Sequence, residues 1–410
     1  MGAATAGTFG FDLLKTSTFS AGHPQQKYAE MRKAAPMLRH EGSDLQPAFW
    51  VALDYELIRK ISLDANNFTS TRGFRIPTDK RMSMDPKISA VLSRFMLAMD
   101  DPEHATYRGL VSQAFTPANL AAFEPSIRQS VADLVDGLKT GSEVEFVTEV
   151  GAIVPIRTVC TIMGVPREDE ARVFEFTNAV FGTDDADFSP NVEVANRNYL
   201  GIFDYANWLF AERRREPKND VATMLVHAEI DGKRLNEIDL QSFFSNMISA
   251  GNETTRSSLS GAVWALSVFP DQRRKIVEDP SRLAAATDEI LRWYGPVYHM
   301  ARVAKQDLEL AGETVRAGER VALLYGAGNY DPAVFEDPFK LDVTRPNASR
   351  HVTFGYGVHH RLGFRLGNLQ LRMILEAFLR RFPNYEVLTE PVNVASNFVR
   401  AIKSLRVRLQ

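Results

Sequence analysis

The chain has 410 residues, 45% hydrophobic and 24% charged, an ordinary globular composition that excludes disordered, collagenous and low-complexity classes. Its 48 basic and 51 acidic residues leave a formal net charge of −3, so the overall balance points to neither nucleic acid nor an anionic membrane as partner. A single cysteine, Cys160, excludes a disulfide framework and a cysteine-rich metal site, and it fits a reducing compartment.

The first twenty residues lack a basic start followed by a long apolar run, so no signal peptide is expected, and residues 1–20 read as an irregular arm. No apolar run reaches the roughly 18 residues of a membrane span, and a cytoplasmic protein is expected. A short strand is predicted over 49–53. Apolar residues at three- and four-residue spacing predict helices over 118–138, 168–176, 196–215, 221–227 and 237–264. Strands are predicted over 302–308 and 320–324, around the turn Ala311-Gly312-Glu313. A helix over 366–382 follows, then short strands at 385–387, 393–394 and 405–407. There is no internal repeat and no Gly-, Ser- or Pro-rich linker. The pattern predicts a mainly α chain with a small β-rich part (α+β), a single domain over 21–410 after the arm.

The most informative stretch is Phe354-Gly355-Tyr356-Gly357-Val358-His359-His360-Arg361-Leu362-Gly363, a glycine-punctuated loop that leads into the 366–382 helix. Alone, it reads as a turn with glycines at positive φ, or as a weak nucleotide-type loop. It resembles the haem-binding loop of the cytochrome P450 family, whose pattern is Phe-Gly-x-Gly-x-His-x-Cys-x-Gly-x-x-Leu-Ala. Phe354, Gly355, Gly357, His359, Gly363 and Leu366 fall in register, and Gly367 stands at the alanine. Arg361 stands where the family has its iron-ligating cysteine. The resemblance runs from about Phe11 to the C-terminus. It implies one triangular-prism domain, haem b as cofactor, a monooxygenase ancestry and a hydrophobic small molecule as ligand.

Further segments carry the same resemblance. Ser249-Ala250-Gly251-Asn252-Glu253-Thr254-Thr255-Arg256 is similar to the family's oxygen-activating segment, which places Glu253 and Thr254 in a proton relay. An adjacent acid and hydroxyl can order a proton-carrying water chain; as a bare helix, the same side chains bond back to their own carbonyls. Glu289-Ile290-Leu291-Arg292 matches the Glu-x-x-Arg helix, whose three-residue spacing puts both charges on one face. Arg345 resembles the third member of that structural lock. The resemblance assigns the haem carboxylates to His104, Arg108, Arg302 and His359, because such groups need charge-assisted partners. Ala250, Val297, Met300 and Phe398 become substrate-contact positions, with the loop 71–95 and the segment 174–187 on the opposite side setting access. The segment 396–403 and the continuation Trp293-Tyr294-Gly295-Pro296-Val297 resemble bacterial members that oxidise steroid side chains, branched lipids and terpenoids.

Arg361 sets the functional expectation. A cysteine thiolate feeds electron density to iron, whereas a guanidinium stays protonated and has no lone pair to offer. Cys160 lies in an apolar helical setting suited to a small buried hydrophobe. His360, next to the ligand position, is expected to point away. Haem is therefore expected to be absent or at low occupancy, without thiolate ligation. Three functions remain open: a binding or accessory protein with an apolar cavity and a partner enzyme; a monooxygenase fed by a ferredoxin; and a non-redox cyclase or isomerase in the old pocket.

Overall fold

Local sequence signals place the helices. Asp54 caps Tyr55–Leu63 by accepting from the N–H groups of Glu56 and Leu57, and Leu57, Ile58 and Ile61 form its buried face. Asn191 and Asp220 do the same for Val192–Arg215 and Val221–His227. Thr116 caps Pro117–Gly137, whose first residue is a proline that has no N–H to leave unpaired. The computed structural model describes residues 5–410, which divide into two compact units.

The first unit comprises residues up to 82, 261–361 and 393–401. Its sheet is made of β1 (Met37–His40), β2 (Phe49–Ala52), β3 (Phe68–Thr69), β4 (His299–Ala304) and β5 (Arg320–Leu324), in the order β1-β2-β5-β4-β3. The β2–β5 pair is parallel and the others are antiparallel. The strand expected over 302–308 is displaced: β4 starts at His299 and stops at Ala304. The turn at Ala311-Gly312 closes a separate hairpin, Leu308–Leu310 with Glu313–Val315. Both turn residues have positive φ, 54° and 83°, the twist a tight two-residue hairpin requires. Residues 5–20, expected as an irregular arm, contain the 3-10 turns Ala6–Phe9 and Thr16–Phe19 and bury Phe11, Leu13 and Phe19.

Two features of this unit yield expected outcomes. A Cβ at Gly261 would lie 2.3–2.5 Å from ring atoms of the buried Tyr294, so helix and ring meet only because the side chain is absent. Gly261→Ala is expected to cost about 1–3 kcal/mol through overpacking, read as a lower urea midpoint. The second feature is a set of buried neutral histidines. Burial pushes His23 and His299 down to about 3 and His351 down to about 4. His299 is locked neutral: its Nε2 accepts from the Ile76 N–H (2.9 Å) and its Nδ1 donates to the Asn397 carbonyl (3.1 Å). The unfolded chain takes up these protons near 6.5 and the folded chain only near 3–4, so stability falls as pH drops through that window. The expected loss by about pH 4.5 is roughly 2–3 kcal/mol for each histidine. Urea midpoints that stay level from neutral to that pH would contradict it.

The second unit comprises residues 83–260, 362–392 and 402–410. It is mostly helical, with Glu103–Ser112, Ile153–Met163 and Glu170–Phe181 among its elements, and the 32-residue helix Glu237–Val268 begins in it. Phe364–Arg381 buries Leu371, Ile374 and Phe378. The small β part is antiparallel: Glu386–Val387, Arg406–Arg408 and Glu143–Glu145, with Arg406 and Arg408 pairing with Glu143. A Cβ at Gly251 would come within 2.8 Å of Val159, so this glycine lets Ile153–Met163 close on the long helix. Among the described residues, no helix is long and apolar enough to cross a membrane.

Candidate functional site

In the first unit, the glycine-punctuated loop is held by an interior hydrogen-bond chain. Asn329 accepts from the Val352 N–H (2.8 Å) and donates to Thr353 Oγ1 (2.9 Å), which donates to the Leu291 carbonyl (2.9 Å). The loop then turns twice at positive φ, 71° at Gly355 and 68° at Gly357. A Cβ at Gly357 would sit 2.7 Å from the Ser62 carbonyl oxygen, so no other residue fits that turn. The Arg361 N–H donates to the Phe354 carbonyl (2.9 Å), fixing the backbone from which the Arg361 side chain departs. Arg361 is half-buried, and loss of hydration pushes its guanidinium down to about 10. It is still a cation at neutral pH.

His359 follows Gly357 on a short 3-10 turn, and its Nε2 lies 3.1 Å from Ser70 Oγ. Arg302 is on β4 opposite Val321; it is buried, and its Nη1 donates to the Ala301 carbonyl (2.8 Å). Of the four positions expected to touch an apolar ligand, Val297, Met300 and Phe398 lie in the first unit and Ala250 lies on the long helix in the second. The Tyr298 N–H donates to the Phe398 carbonyl (2.8 Å), Val297 bridges Val399, and Met300 lies on β4 two residues beyond Tyr298. The Phe398 ring packs with Phe74 (6.0 Å) and His299 (5.8 Å), and the Arg75 guanidinium lies 4.8 Å from its centre.

Glu289, Arg292 and Arg345 form one buried cluster. Glu289 accepts from Arg292 through both oxygens (2.7 and 2.8 Å) and from Arg345 Nε (3.1 Å). The remaining Arg292 donors reach the carbonyls of Asn329, Pro338 and Lys340. Each charge is thus matched by an opposite charge or a hydrogen bond, as burial demands.

In the second unit, His104 and Arg108 lie one turn apart on Glu103–Ser112. His104 is buried with Nδ1 3.2 Å from Asp101 Oδ1, and burial pushes both His104 and Arg108 below their ordinary values. Glu253 and Thr254 are adjacent on the long helix and diverge, because successive helical side chains point about 100° apart. The Glu253 carboxylate is bound by the Arg256 guanidinium and accepts from Ser257 Oγ (2.8 Å). Thr254 Oγ1 donates to the Ala250 carbonyl (3.0 Å), the back-bonded arrangement of an ordinary helical threonine. Cys160 is fully buried, and burial pushes its thiol well above the usual range, with the charges of Glu170 and Asp169 adding to the effect.

Two of these partners escaped the sequence reading. Ser70 lies 289 residues from His359, and no local pattern joins them. Arg256 stands three residues after Glu253, a spacing that favours an ion pair on one helical face, and so was open to reading.

The sequence matches the family model described as Cytochrome P450 over residues 13–407. A Steroid C26-monooxygenase of Rhodococcus jostii (strain RHA1) is 32% identical over 406 residues, covering 97% of this chain and 84% of the relative. A Linalool 8-monooxygenase of Pseudomonas putida is 32% identical over 404 residues, covering 97% and 98%. The structure of Mycobacterium marinum cytochrome P450 CYP268A2 in complex with pseudoionone superposes with a TM-score of 0.90 at 33% identity, covering 97% of this chain and 98% of that one. Sequence and fold agree over nearly the whole length, and the chain belongs to the cytochrome P450 family.

Proposed function

We propose that this chain binds an elongated apolar molecule of steroid, branched-lipid or terpenoid type and that, with Arg361 in its loop, it does not activate oxygen. One observation carries the reading: residue 361, at the family's metal-ligand position, is an arginine, half-buried on a loop whose backbone is fixed by the bond to the Phe354 carbonyl. The family implies haem, and the residues fit that group only in part. Arg302 and Arg108 are cations, and His359 and His104 ring N–H donors, of the kind that hold its carboxylates. Arg361 does not fit, since it offers iron no electron pair and adds positive charge beside a metal cation. Cys160 is no substitute, because burial keeps its thiol protonated. Haem is therefore absent or weakly held, without a sulfur bond, and the protein serves as a binding or accessory partner to another enzyme.

A second reading, a monooxygenase fed by a ferredoxin, draws support from the family match and from the names of the relatives. One experiment separates the two. The purified protein is incubated with a sterol, a methyl-branched fatty acid or linalool, with and without haem, ferredoxin, reductase and NADH. The expected result is saturable binding of at least one ligand, seen as a raised melting temperature, and no oxygenated product. An oxygenated product from the parent protein would overturn the proposal.

A further inference from the structure

We infer that Arg320 and Gln46 are positioning residues for the aromatic wall that meets the apolar ligand, and that their grip sets how sharply the protein tells a methyl-branched chain from a straight one. The inference rests on reading Phe398 as a ligand contact. Residues 72–77, at the start of the loop expected to set access, form neither helix nor strand, yet Arg72, Phe74, Ile76 and Pro77 are each bonded to the rest of the first unit. The Phe74 carbonyl accepts from the Ala301 N–H (2.6 Å). The Ile76 N–H donates to His299 Nε2 (2.9 Å), and the Ile76 carbonyl accepts from Asn397 Nδ2 (3.1 Å). One pair of side chains holds both ends. Arg320 Nη2 donates to the Arg72 carbonyl (3.2 Å) and Nη1 to Gln46 Oε1 (3.0 Å), while Gln46 Nε2 donates to the Pro77 carbonyl (3.1 Å). Gln46 is buried, and Ser43 fixes its backbone: the Ser43 N–H donates to the Gln46 carbonyl (2.8 Å) and Ser43 Oγ accepts from the Gln46 N–H (3.1 Å).

The consequence follows from packing. Arg320 stands at the head of β5 and gives a charged donor to two neutral oxygens, which makes both bonds stronger than bonds between neutral groups. With both ends and the middle of 72–77 fixed, the Phe74 ring stands 6.0 Å from the Phe398 ring, and the His299 ring stands 5.8 Å from Phe398. His299 and Asn397, the neighbour of Phe398, are the residues that hold Ile76, so the segment and the Phe398 wall share their supports. A wall that does not yield separates ligands differing by one carbon by about tenfold or more. A wall that relaxes accepts both. Removing Arg320 or Gln46 frees the ends of 72–77, and Phe74 with them.

Two readouts test this, and neither needs haem or turnover. Amide hydrogen exchange at Ile76 and Ala301 is measured in the parent, Gln46→Ala and Arg320→Met. Both amides are expected to exchange about tenfold faster or more in the variants, while the amides of Phe364–Arg381 stay unchanged as the control for folding. Dissociation constants are then measured, by displacement of a fluorescent apolar probe, for a straight-chain fatty acid and a methyl-branched acid of the same chain length. In the parent the two are expected to differ about tenfold or more, and in both variants by no more than about twofold. A purely structural loss would weaken both acids alike and keep the parent ratio. Arg320→Lys, which reaches only one of the two oxygens, is expected to fall between, and it carries the test if the other variants do not fold. With both acids bound, a parent ratio near one, or a parent-like ratio or parent-like exchange in a folded variant, would overturn this inference alone. A parent that binds neither acid would overturn it too. Failure of the proposed function has its own signs, binding of no apolar ligand of any class or formation of an oxygenated product.

Discussion

Arg361→Cys is expected to give a protein that takes up haem and shows a reduced carbon-monoxide band of thiolate type, which the parent is expected to lack. The substitution exchanges a desolvated cation for a sulfur donor on a backbone that is already fixed. Gly355 and Gly357 make the two turns, and the Arg361 N–H to Phe354 carbonyl bond is a main-chain contact that survives the change. With ferredoxin, reductase and an accepted apolar substrate, the variant is expected to turn over on the order of 1 s−1 or faster, an ordinary enzyme rate, against background for the parent. Arg361→Ser supplies the control. It removes the cation without adding a thiolate, so it is expected to relieve repulsion but give no thiolate-type band. A variant Arg361→Cys that binds no haem would show that something beyond the ligand position has been lost.

Glu289→Ala is expected to produce the largest loss of stability. It removes the one carboxylate that balances Arg292 and Arg345, leaving Arg292 fully buried against carbonyl oxygens and the Phe335 ring. Breaking a buried ion pair from one side costs about 3–5 kcal/mol, because the remaining charge is uncompensated. Arg345→Met is expected to cost less, since the bidentate Glu289–Arg292 pair survives it. Urea unfolding of the three proteins checks the order. A parent-like midpoint for Glu289→Ala would contradict this view of the cluster.

Much of the fold was legible where a local signal was strong. The helix expected over 221–227 spans Val221–His227, with Asp220 as its cap, and the strand expected over 320–324 is β5. The helix expected over 168–176 runs on to Phe181, because its apolar face continues to Gly182. β4 was misplaced because five of its six residues are buried, which erases the alternation that marks a half-exposed strand. The short helices Asp79–Met82 and Pro86–Ser93, within the loop expected over 71–95, span too few turns for a period to emerge.

Legibility of the candidate site followed sequence distance. Glu289 and Arg292 advertise their contact by spacing alone, whereas Arg345 reaches Glu289 from 56 residues away and was suggested only by the family resemblance. Glu253 drew the eye toward Thr254, its neighbour in the family motif, yet the carboxylate turns to Arg256 and the threonine to a carbonyl. Adjacency in sequence is divergence on a helix, and Arg256, one turn further on, takes the carboxylate.

The most direct measurement is the absorption spectrum of the purified parent protein after incubation with haem, reduction and exposure to carbon monoxide. The expected spectrum contains no band of thiolate type, because the side chain at position 361 carries a positive charge and no donor pair. The appearance of that band in the parent would place a sulfur on the iron and contradict the central claim.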